Sequence, residues 1–385
     1  MKKPTLKIKK GHEIRARRTT KAILRGTRSE QERTANRTKS NSNYYVKITT
    51  KNSEYQSLCF RKPFMMPKCL CFDEAPSETI EAINVIREHM KNPPYNTKRN
   101  GFRSNLSQIP NYFEFSSIEK VSTSAALVVL AEFQRWLEIR NNPARLVNLR
   151  KWNSEVVLKL REIGFFSALE MPKEILPFPD IQNSDLKVLK FITGENGDDL
   201  QRIGGQLREL IDFIDPDHSV ASNVRRTLTS AISEAVSNVT HHAYTDDFEF
   251  VHPPINKFWF AGAADRGKRK MSVNMYDQGH TIPKTYNRAN IASQAKAFIQ
   301  NINKEDRNDA VFIEAAVKYG NSQTEDKNRG NGLPQIREAV ENCPNGRILI
   351  CSRSGMFKYS KGLGKTTEVM KGSVGGTLIS WEVEF

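Results

Sequence analysis

The sequence predicts an α+β protein in which a small βαβα domain precedes a two-layer α/β sandwich, with helices on one face of a mixed, mostly antiparallel sheet. Strand-like and helical patterns alternate between residues 111 and 163, which implies a small sheet with helices packed on it. A Pro-rich stretch, Met171–Asp180, then separates this part from the carboxy-terminal half of the chain. From residue 186 onwards five strand patterns accompany helical patterns, and two of the strands read as a hairpin.

Apolar periodicity assigns the elements of each part. In the first part we predict strands over 44–50, 111–117 and 144–150, and helices over 76–90, 122–139 and 154–163. In the second part we predict strands over 186–192, 257–263, 270–276, 347–352 and 377–385, and helices over 205–214, 221–244 and 308–319. The predicted domains are a basic disordered tail (1–43), a middle α/β domain (44–180) and a carboxy-terminal domain (186–385).

The composition is typical of a soluble globular protein, with 38% hydrophobic and 26% charged residues among 385. No apolar run approaches the ~20 residues that span a bilayer, so we expect no membrane segment. The five cysteines form no CxxC pair, which argues against a zinc site or a disulfide framework and favours a reducing cytoplasm. Four aromatic residues are expected in the core rather than on a base-stacking surface: Trp136, Trp152, Phe165 and Phe166.

The positive charge is concentrated at the amino terminus. Residues 1–45 hold 14 Lys or Arg against three acids, which is +11 of the formal net charge of +16. Few large apolar residues accompany this charge, so the segment cannot bury enough surface to fold alone. Such a tail could bind nucleic acid by neutralising several phosphates, or it could be a solvated extension that docks on an acidic protein face.

The helix predicted around Thr227–Tyr244 contains the first candidate site residues. Glu234, Asn238 and His242 are each four residues apart, so they form a row at the edge of the apolar stripe of this helix. An amide oxygen is a suitable ligand for Mg²⁺, and a carboxylate one turn away can hold or deprotonate an attacking water. Taken alone, the same pattern also describes an ordinary polar helix edge.

Three further motifs occur in order along the chain. A strand ends at Asp277-Gln-Gly279, where the carboxylate can accept a hydrogen bond from an adenine amino group and the glycine lets the backbone approach the ring. Gly330-Asn-Gly332 runs into a helix, an arrangement that offers backbone N–H groups to phosphate oxygens. A Gly-Gly-Thr turn, ending at Thr377, enters the last strand.

This ordered set resembles the motifs of the ATPase superfamily shared by DNA gyrase, the heat-shock chaperone ATPases, MutL-type mismatch repair proteins and histidine kinases, which has the Bergerat ATP-binding fold. Within that superfamily, SEAVSNVTHHAY (233–244) is most similar to the helix motif of the anti-sigma-factor serine kinases. The resemblance covers residues 186–385 and implies ATP and Mg²⁺ as cofactors.

The resemblance implies a role for each helix residue. Asn238 corresponds to the Mg²⁺ ligand, and Glu234 corresponds to the catalytic residue that polarises the attacking water or hydroxyl. His242 is expected to face the phosphates.

The resemblance also implies roles for the later motifs. Asp277 corresponds to the adenine reader, which Thr377 supports through water, and Gly279 shapes the adenine pocket. The hinge and phosphate turn of the lid comprise Gly330, Gly332 and Leu333.

The lid departs from the family pattern. The family motif Asp-x-Gly-x-Gly reads Asp277-Gln-Gly279-His-Thr281 here, so the second glycine is missing and a stiffer or differently placed first hinge is expected. The lid predicted over residues 283–329 is also long, and it includes the helix predicted over 308–319.

The middle region is similar to the anti-sigma-antagonist (sulfate-transporter) fold, in which a strand leads to a loop with a phosphorylatable serine and then to a helix. FEFSSIEKVSTSAALVVL (113–130) has this order, with Ser122 in place of the usual acidic residue and Ala125 in place of a glycine. Thr123 or Ser124 is therefore either a phosphoacceptor or the N-cap of the helix.

Three functions are compatible with these patterns. The first is a Mg²⁺-dependent ATPase that acts in the cytoplasm, with a protein partner, as a nucleotide-driven conformational switch in regulation or defence. The second is a serine/threonine protein kinase of the anti-sigma-factor type. The third is a non-catalytic ATP-binding scaffold whose basic tail binds nucleic acid. Several relatives in the superfamily dimerise, so a homodimer is also possible, although no residue marks its face.

Overall fold

The computed structural model describes residues 44–49, 54–59, 62–91, 108–141, 144–171, 185–195, 197–218, 226–227, 229–231, 243–244, 249–286, 291, 293–320 and 332–385. The chain divides into two compact units, one of Met1–Val46 and Gln56–Lys62 and the other of Lys47–Tyr55 and Pro63–Phe385. The described residues of the smaller unit all lie in strands. All contacts of the candidate site lie within the larger unit. The predicted tail (1–43) and residues 172–184, which include nearly all of the Pro-rich stretch, lie outside the described residues.

The described residues up to 171 form a small sheet with helices. Their elements are β1 (Tyr44–Thr49), β2 (Glu54–Cys59), β3 (Lys62–Met65), β4 (Cys69–Leu70), α1 (Pro76–Lys91), β5 (Gln108–Glu114), β6 (Lys120–Val121), α2 (Thr123–Arg140), β7 (Arg145–Val147), a 3₁₀ turn (Leu149–Lys151), α3 (Ser154–Glu162) and α4 (Phe165–Ala168). The sheet order is β2–β1–β7–β5–β3, and β4 pairs separately with β6. β5 and β7 are parallel, because α2 connects them as a crossover helix.

The described residues from 185 onwards form a second, larger sheet. Their elements are β8 (Leu186–Gly194), α5 (Gly197–Ile214), β9 (Phe258–Asp265), β10 (Lys270–Asp277), α6 (Ile282–Tyr286), α7 (Ser293–Gln300), a 3₁₀ turn (Lys304–Asp306), α8 (Asp309–Tyr319), α9 (Gly332–Glu341), β11 (Asn345–Ser352), β12 (Gly355–Ser360), β13 (Gly364–Val369) and β14 (Thr377–Glu384). Seven strands lie in the order β13–β12–β11–β14–β10–β9–β8, and every pair is antiparallel. The chain is therefore α+β, as predicted.

Alternation along β10 defines the two faces of the seven-stranded sheet. Met271, Val273 and Met275 point to what we call the first face, where they share one apolar cluster with side chains of α5, α8 and α9. In α5 the buried residues recur at helical spacing: Ile203, Leu207, Leu210, Ile211 and Ile214. This amphipathic pattern explains why α5 lies flat on the sheet.

Helix α2 covers the opposite, second face, to which Ser272, Asn274 and Tyr276 of β10 point. Tyr276 belongs to the same apolar cluster as α1 and α2, and α2 contacts β9, β10 and β14. Helices therefore lie on both faces of the sheet, whereas the sequence predicted them on one face. Periodicity marks the apolar side of a helix, but it does not show which sheet that side meets.

Helix α2 is buried on more sides than the single apolar stripe that its sequence predicts. Residues 124–133 are all buried, while Leu137, which the stripe included, is 37% exposed. A helix that is packed between two sheets is buried on more than one side. Its N-cap is also one residue earlier than predicted, since Ser122 Oγ accepts a hydrogen bond from Ala125 N at 3.1 Å, and neither Thr123 nor Ser124 is the cap.

Most other predicted elements are confirmed, and the differences have local causes. β5 begins three residues earlier than predicted and α5 begins at Gly197 rather than Gly205, inside what was predicted to be a loop. β12 and β13 were not predicted, because β13 is exposed along its whole length and shows no apolar alternation. The core placement of the four aromatic residues is confirmed: Trp136, Trp152, Phe165 and Phe166 are each at most 3% exposed.

The segment predicted to be a lid contains α6, α7 and α8 among its described residues. α8 begins after Asn308, whose side chain accepts hydrogen bonds from Ala310 N and Val311 N, which confirms the predicted helix. Ile313 and Val317 of α8 belong to the first-face cluster. This helix is thus part of the core. No helix within the described residues is both long and apolar enough to cross a bilayer.

Candidate functional site

The row of residues on the predicted 221–244 helix lies outside the described residues, as does the first lid glycine. These are Glu234, Asn238, His242 and Gly330. Described residues on either side of the row do make contacts. Ser230 Oγ donates to Gln335 Oε1 of α9 at 3.2 Å, and Ala243 lies against the turn after β10.

Asp277 ends β10 as a buried carboxylate that is 5% exposed. Its Oδ1 accepts from Gly279 N at 2.8 Å, and the backbone N–H of Thr377, directly opposite on β14, also donates to it. No described Lys, Arg or His forms an ion pair with Asp277. Burial raises the pKa of the carboxyl to about 7, although the two backbone hydrogen bonds act in the opposite direction.

A buried carboxylate without a positive partner is unfavourable in a protein that has no other use for it. Carboxylates in such surroundings concentrate at functional sites. Above a pH of about 7 the carboxyl of Asp277 is ionised, and it can then accept a hydrogen bond from a ligand N–H group.

Gly279 is required by close packing. A Cβ at this position would lie 2.3 Å from Ala243 O and 2.4 Å from Ala243 Cβ. The next residue, His280, donates its backbone N–H to the same oxygen at 2.6 Å, and its ring stacks on Phe250 at 4.3 Å. The turn after Asp277 is thus fixed against the end of the segment that precedes it.

The Gly-Gly-Thr turn lies beside Asp277, since Thr377 is directly opposite it on β14. Gly375 has φ +82°, and a Cβ on Gly376 would lie 1.8 Å from Asp277 O. Thr377 Oγ1 is 2.9 Å from Ser352 Oγ, which in turn accepts from Ile282 N at 2.9 Å. Thr377 is therefore adjacent to Asp277, and its hydroxyl is already held by Ser352, a residue that no sequence motif marked.

The described part of the lid motif starts α9. Gly332 is the first residue of that helix. Leu333 is half-buried and packs, together with Ile282, around the apolar group formed by Tyr286 and Ala316. The start of α9 and the segment after Asp277 thus share one small apolar cluster.

Gln278, inside the Asp-x-Gly motif, is a further residue that the sequence did not mark. Its Nε2 donates to Ala131 O of α2 at 3.1 Å, and its backbone N–H donates to Tyr244 Oη at 3.0 Å. Because side chains alternate along the chain, Gln278 points to the second face. The motif residue next to Asp277 is therefore bonded to the helix of the preceding region.

Arg87 of α1 holds the loop that leads into the Gly-Gly-Thr turn. Its Nη1 donates to Ser373 O at 3.0 Å and its Nη2 to Val374 O at 2.7 Å. Tyr276 Oη donates to the same Val374 oxygen at 3.0 Å. A Cβ on Gly375 would lie 2.4 Å from Arg87 Nη2, so the glycine leaves room for the guanidinium.

Glu132 of α2 neutralises Arg87 inside the protein. Glu132 Oε1 accepts from Arg87 Nε at 3.0 Å and Nη2 at 2.8 Å, and Arg135 Nη1 is 3.4 Å from the other oxygen. Burial alone would raise the pKa of Glu132, but Arg135 and Arg87 together hold it below its ordinary value. The sequence contained one sign of this network, since Glu132 and Arg135 interrupt an otherwise apolar stretch of α2.

Comparison with known proteins adds no family assignment. No protein-family model matches the chain, and no curated protein is significantly similar to it. The function is therefore argued from the residues of the site.

Proposed function

We propose that residues 186–385 bind ATP with Mg²⁺ and hydrolyse it slowly, so that the chain acts as a nucleotide-driven conformational switch. The observation that supports this most is Asp277, a buried carboxylate with only backbone donors and no positive partner among the described residues, at the end of a strand and beside a closely packed glycine. Its surroundings suit the adenine amino group, a neutral donor of hydrogen bonds.

In this proposal each motif residue has one task. Asp277 accepts from the adenine amino group, and Gly279 keeps the turn close to Ala243 beside the ring. Thr377, held by Ser352, flanks the same carboxylate. The fold proposed for this part is the Bergerat two-layer sandwich, in which α5, α8 and α9 are the helices on the first face.

The phosphate side of the site rests on residues of the helix motif. Asn238 would hold Mg²⁺, which neutralises phosphate charge when it is bound. Glu234 orients and deprotonates the attacking water, and His242 contacts the phosphates. Gly330, Gly332 and Leu333 form the turn that closes over them.

The switch part of the proposal is supported by two links from the site to the preceding region. Gln278 bonds to α2 and Arg87 bonds to the loop before Gly375. A ligand that moves Asp277 or the Gly-Gly-Thr turn therefore acts on α1 and α2 through direct contacts, as a packed two-state element requires.

The binding test compares two strand-end aspartates. We expect Asp277→Asn to weaken ATP binding by about 10-fold or more, since a hydrogen bond to a charged group is lost. Asp265→Asn, at the end of β9 in an exposed turn, should leave the dissociation constant unchanged. Equilibrium dialysis with labelled ATP measures both affinities. Equal affinities for wild type and Asp277→Asn would show that Asp277 does not bind the adenine.

The reaction test follows the label of γ-labelled ATP with Mg²⁺. A slow release of free phosphate that is lost in Glu234→Gln, but retained in the exposed control Glu338→Gln, supports hydrolysis. Label on the protein instead identifies the kinase function. ATP binding with neither product identifies the scaffold function, for which co-purifying nucleic acid should be lost when residues 1–43 are deleted.

A further inference from the structure

A cavity of about 340 Å³ lies on the second face of the large sheet, away from Asp277. Polar side chains of β10 and β14 form its floor: Ser272, Asn274, Ser380 and Glu382. β6, the first residues of α2 and Lys159 of α3 form other parts of its wall. The second face is thus apolar around Tyr276 but polar at the other end of β10.

The acidic groups in the cavity wall are all neutralised. Asp73 pairs with Arg347 Nη1 at 2.8 Å and with Lys358 Nζ at 3.3 Å. Glu382 pairs with Arg347 Nε at 2.9 Å, and Glu74 pairs with Lys120. Among the described residues, the wall therefore offers no carboxylate that still lacks a cation.

Several groups of the wall that can donate a hydrogen bond have no acceptor among the described residues. Asn274 lines the cavity and is 3% exposed. Its Oδ1 accepts from Ser380 Oγ at 2.8 Å, and no described residue accepts from its Nδ2. Thr123 N and Ser124 N, at the start of the 18-residue helix α2, also lack acceptors, because Ser122 Oγ caps only Ala125 N.

Lys159 adds a positive charge to these donors. It lines the cavity and forms no ion pair or hydrogen bond with any described residue. The side chain of Lys159 reaches solvent, but partial desolvation of its ammonium lowers the pKa below the ordinary value, and the nearby Lys120 acts in the same direction. An anion in the cavity would reverse this effect.

We propose that this cavity binds a small molecule through a phosphate group, with Lys159, Asn274 Nδ2 and the N–H groups of Thr123 and Ser124 as its donors. A phosphate has several acceptor oxygens in a tetrahedral arrangement, so it can receive donors from the sheet, from α3 and from a helix N-terminus together. The helix dipole of α2 favours the same charge. The proposal is independent of ATP binding at Asp277.

The test titrates inorganic phosphate, and then glycerol phosphate as a simple monoester, into the full chain. Isothermal titration calorimetry would be run at constant ionic strength, set with chloride, and the Lys159 and Asn274 variants distinguish this cavity from the phosphate side of the ATP site. We expect saturable binding that Lys159→Gln and Asn274→Asp each weaken by about 10-fold or more. Lys268→Gln, an exposed lysine of the β9–β10 turn, should bind phosphate as the parent does.

Two results would overturn the proposal: no saturable binding of either anion, or binding that survives both substitutions unchanged. Circular dichroism of each variant separates loss of binding from loss of fold. Lys159 reaches solvent, so its replacement by Gln keeps the packing and removes only the charge.

Discussion

The two faces of the seven-stranded sheet are covered by different kinds of side chains. The first face is covered by α5, α8 and α9, and its cluster contains apolar side chains throughout. The second face is covered by α2 from the preceding region, and it includes a buried arginine, a buried glutamate and a polar cavity. The apolar cluster of the first face thus depends on hydrophobic burial, whereas the second face also depends on paired charges.

This difference bears on the nucleotide switch proposed above. An apolar interface tolerates small shifts, because its contacts have no direction. Arg87, which Glu132 holds, donates to the loop before Gly375. Gln278, in the turn after Asp277, donates to α2, so a change around Asp277 alters specific bonds. The second face is the better candidate for the interface that senses a ligand.

The largest expected effect comes from breaking the charge pair on the second face. Arg87→Met leaves Glu132 buried with Arg135 alone as its partner, at 3.4 Å, and it removes the Arg87 donor from Ser373 O. The free energy of unfolding should therefore fall by about 3–5 kcal/mol. Urea denaturation measures this change. Arg337→Met on α9, which breaks an exposed pair with Glu341, should lower it by about 1 kcal/mol or less. Similar losses for both variants would contradict the contrast between the faces.

The next effect is a pH dependence that belongs to Asp277. Its pKa is about 7 in the folded protein and about 4 in an unfolded chain. Between about pH 4 and pH 7 the carboxyl is therefore protonated in the folded state and ionised in the unfolded state. Stability from the protonated group is therefore lost as the pH rises through 7. Relative to wild type, Asp277→Asn should gain about 2–4 kcal/mol of unfolding free energy between pH 4.5 and pH 8.

Urea denaturation of both proteins at the two pH values measures this gain, and taking the difference removes the titration of other groups. A stability difference that stays constant with pH would show that Asp277 has an ordinary pKa. The same variant is expected to lose ATP affinity, so stability and binding should change in opposite directions at pH 8.

A smaller change in stability is expected for alanine substitutions at two glycines on the side of the first face, and its sign should differ between them. Gly279→Ala places a Cβ 2.3 Å from Ala243 O, which should lower the unfolding free energy by about 1–3 kcal/mol through overpacking. Gly204→Ala in α5 meets nothing within 4 Å and should raise it by about 0.5–1 kcal/mol, because alanine is the better helix residue. Thermal unfolding distinguishes the two by the sign of the change.

The sequence predicted the first face well, because its strands and helices carry apolar residues at the periods of strand and helix. Asp277, Gly279 and Thr377 lie together, as the resemblance in motif order implied. The second face could not be predicted in the same way. Arg87 and Val374 are 287 residues apart, and no local pattern shows that α1 meets that loop or that α2 lies under the large sheet.

The smallest effect on stability is expected at Gln278, and it tests the role of the second face most directly. Its Oε1 is buried without a partner among the described residues, so in Gln278→Met the loss of one hydrogen bond to Ala131 O is offset by removal of an unsatisfied atom. The unfolding free energy should therefore change by less than about 1 kcal/mol. Lys257→Met, which breaks an ion pair with Glu138 of α2 at 2.6 Å, is a control that also touches α2 but leaves the motif intact.

If the second face transmits the nucleotide signal, ATP should change amide hydrogen exchange in α2 of the wild type and of Lys257→Met. In Gln278→Met, ATP should bind with the same affinity but change the exchange in α2 less, because one of the two direct links is missing. An undiminished response in Gln278→Met would mean that Arg87 alone, or the apolar packing around Tyr276, connects the two parts. In that case the contrast between the faces would hold for stability and not for signalling.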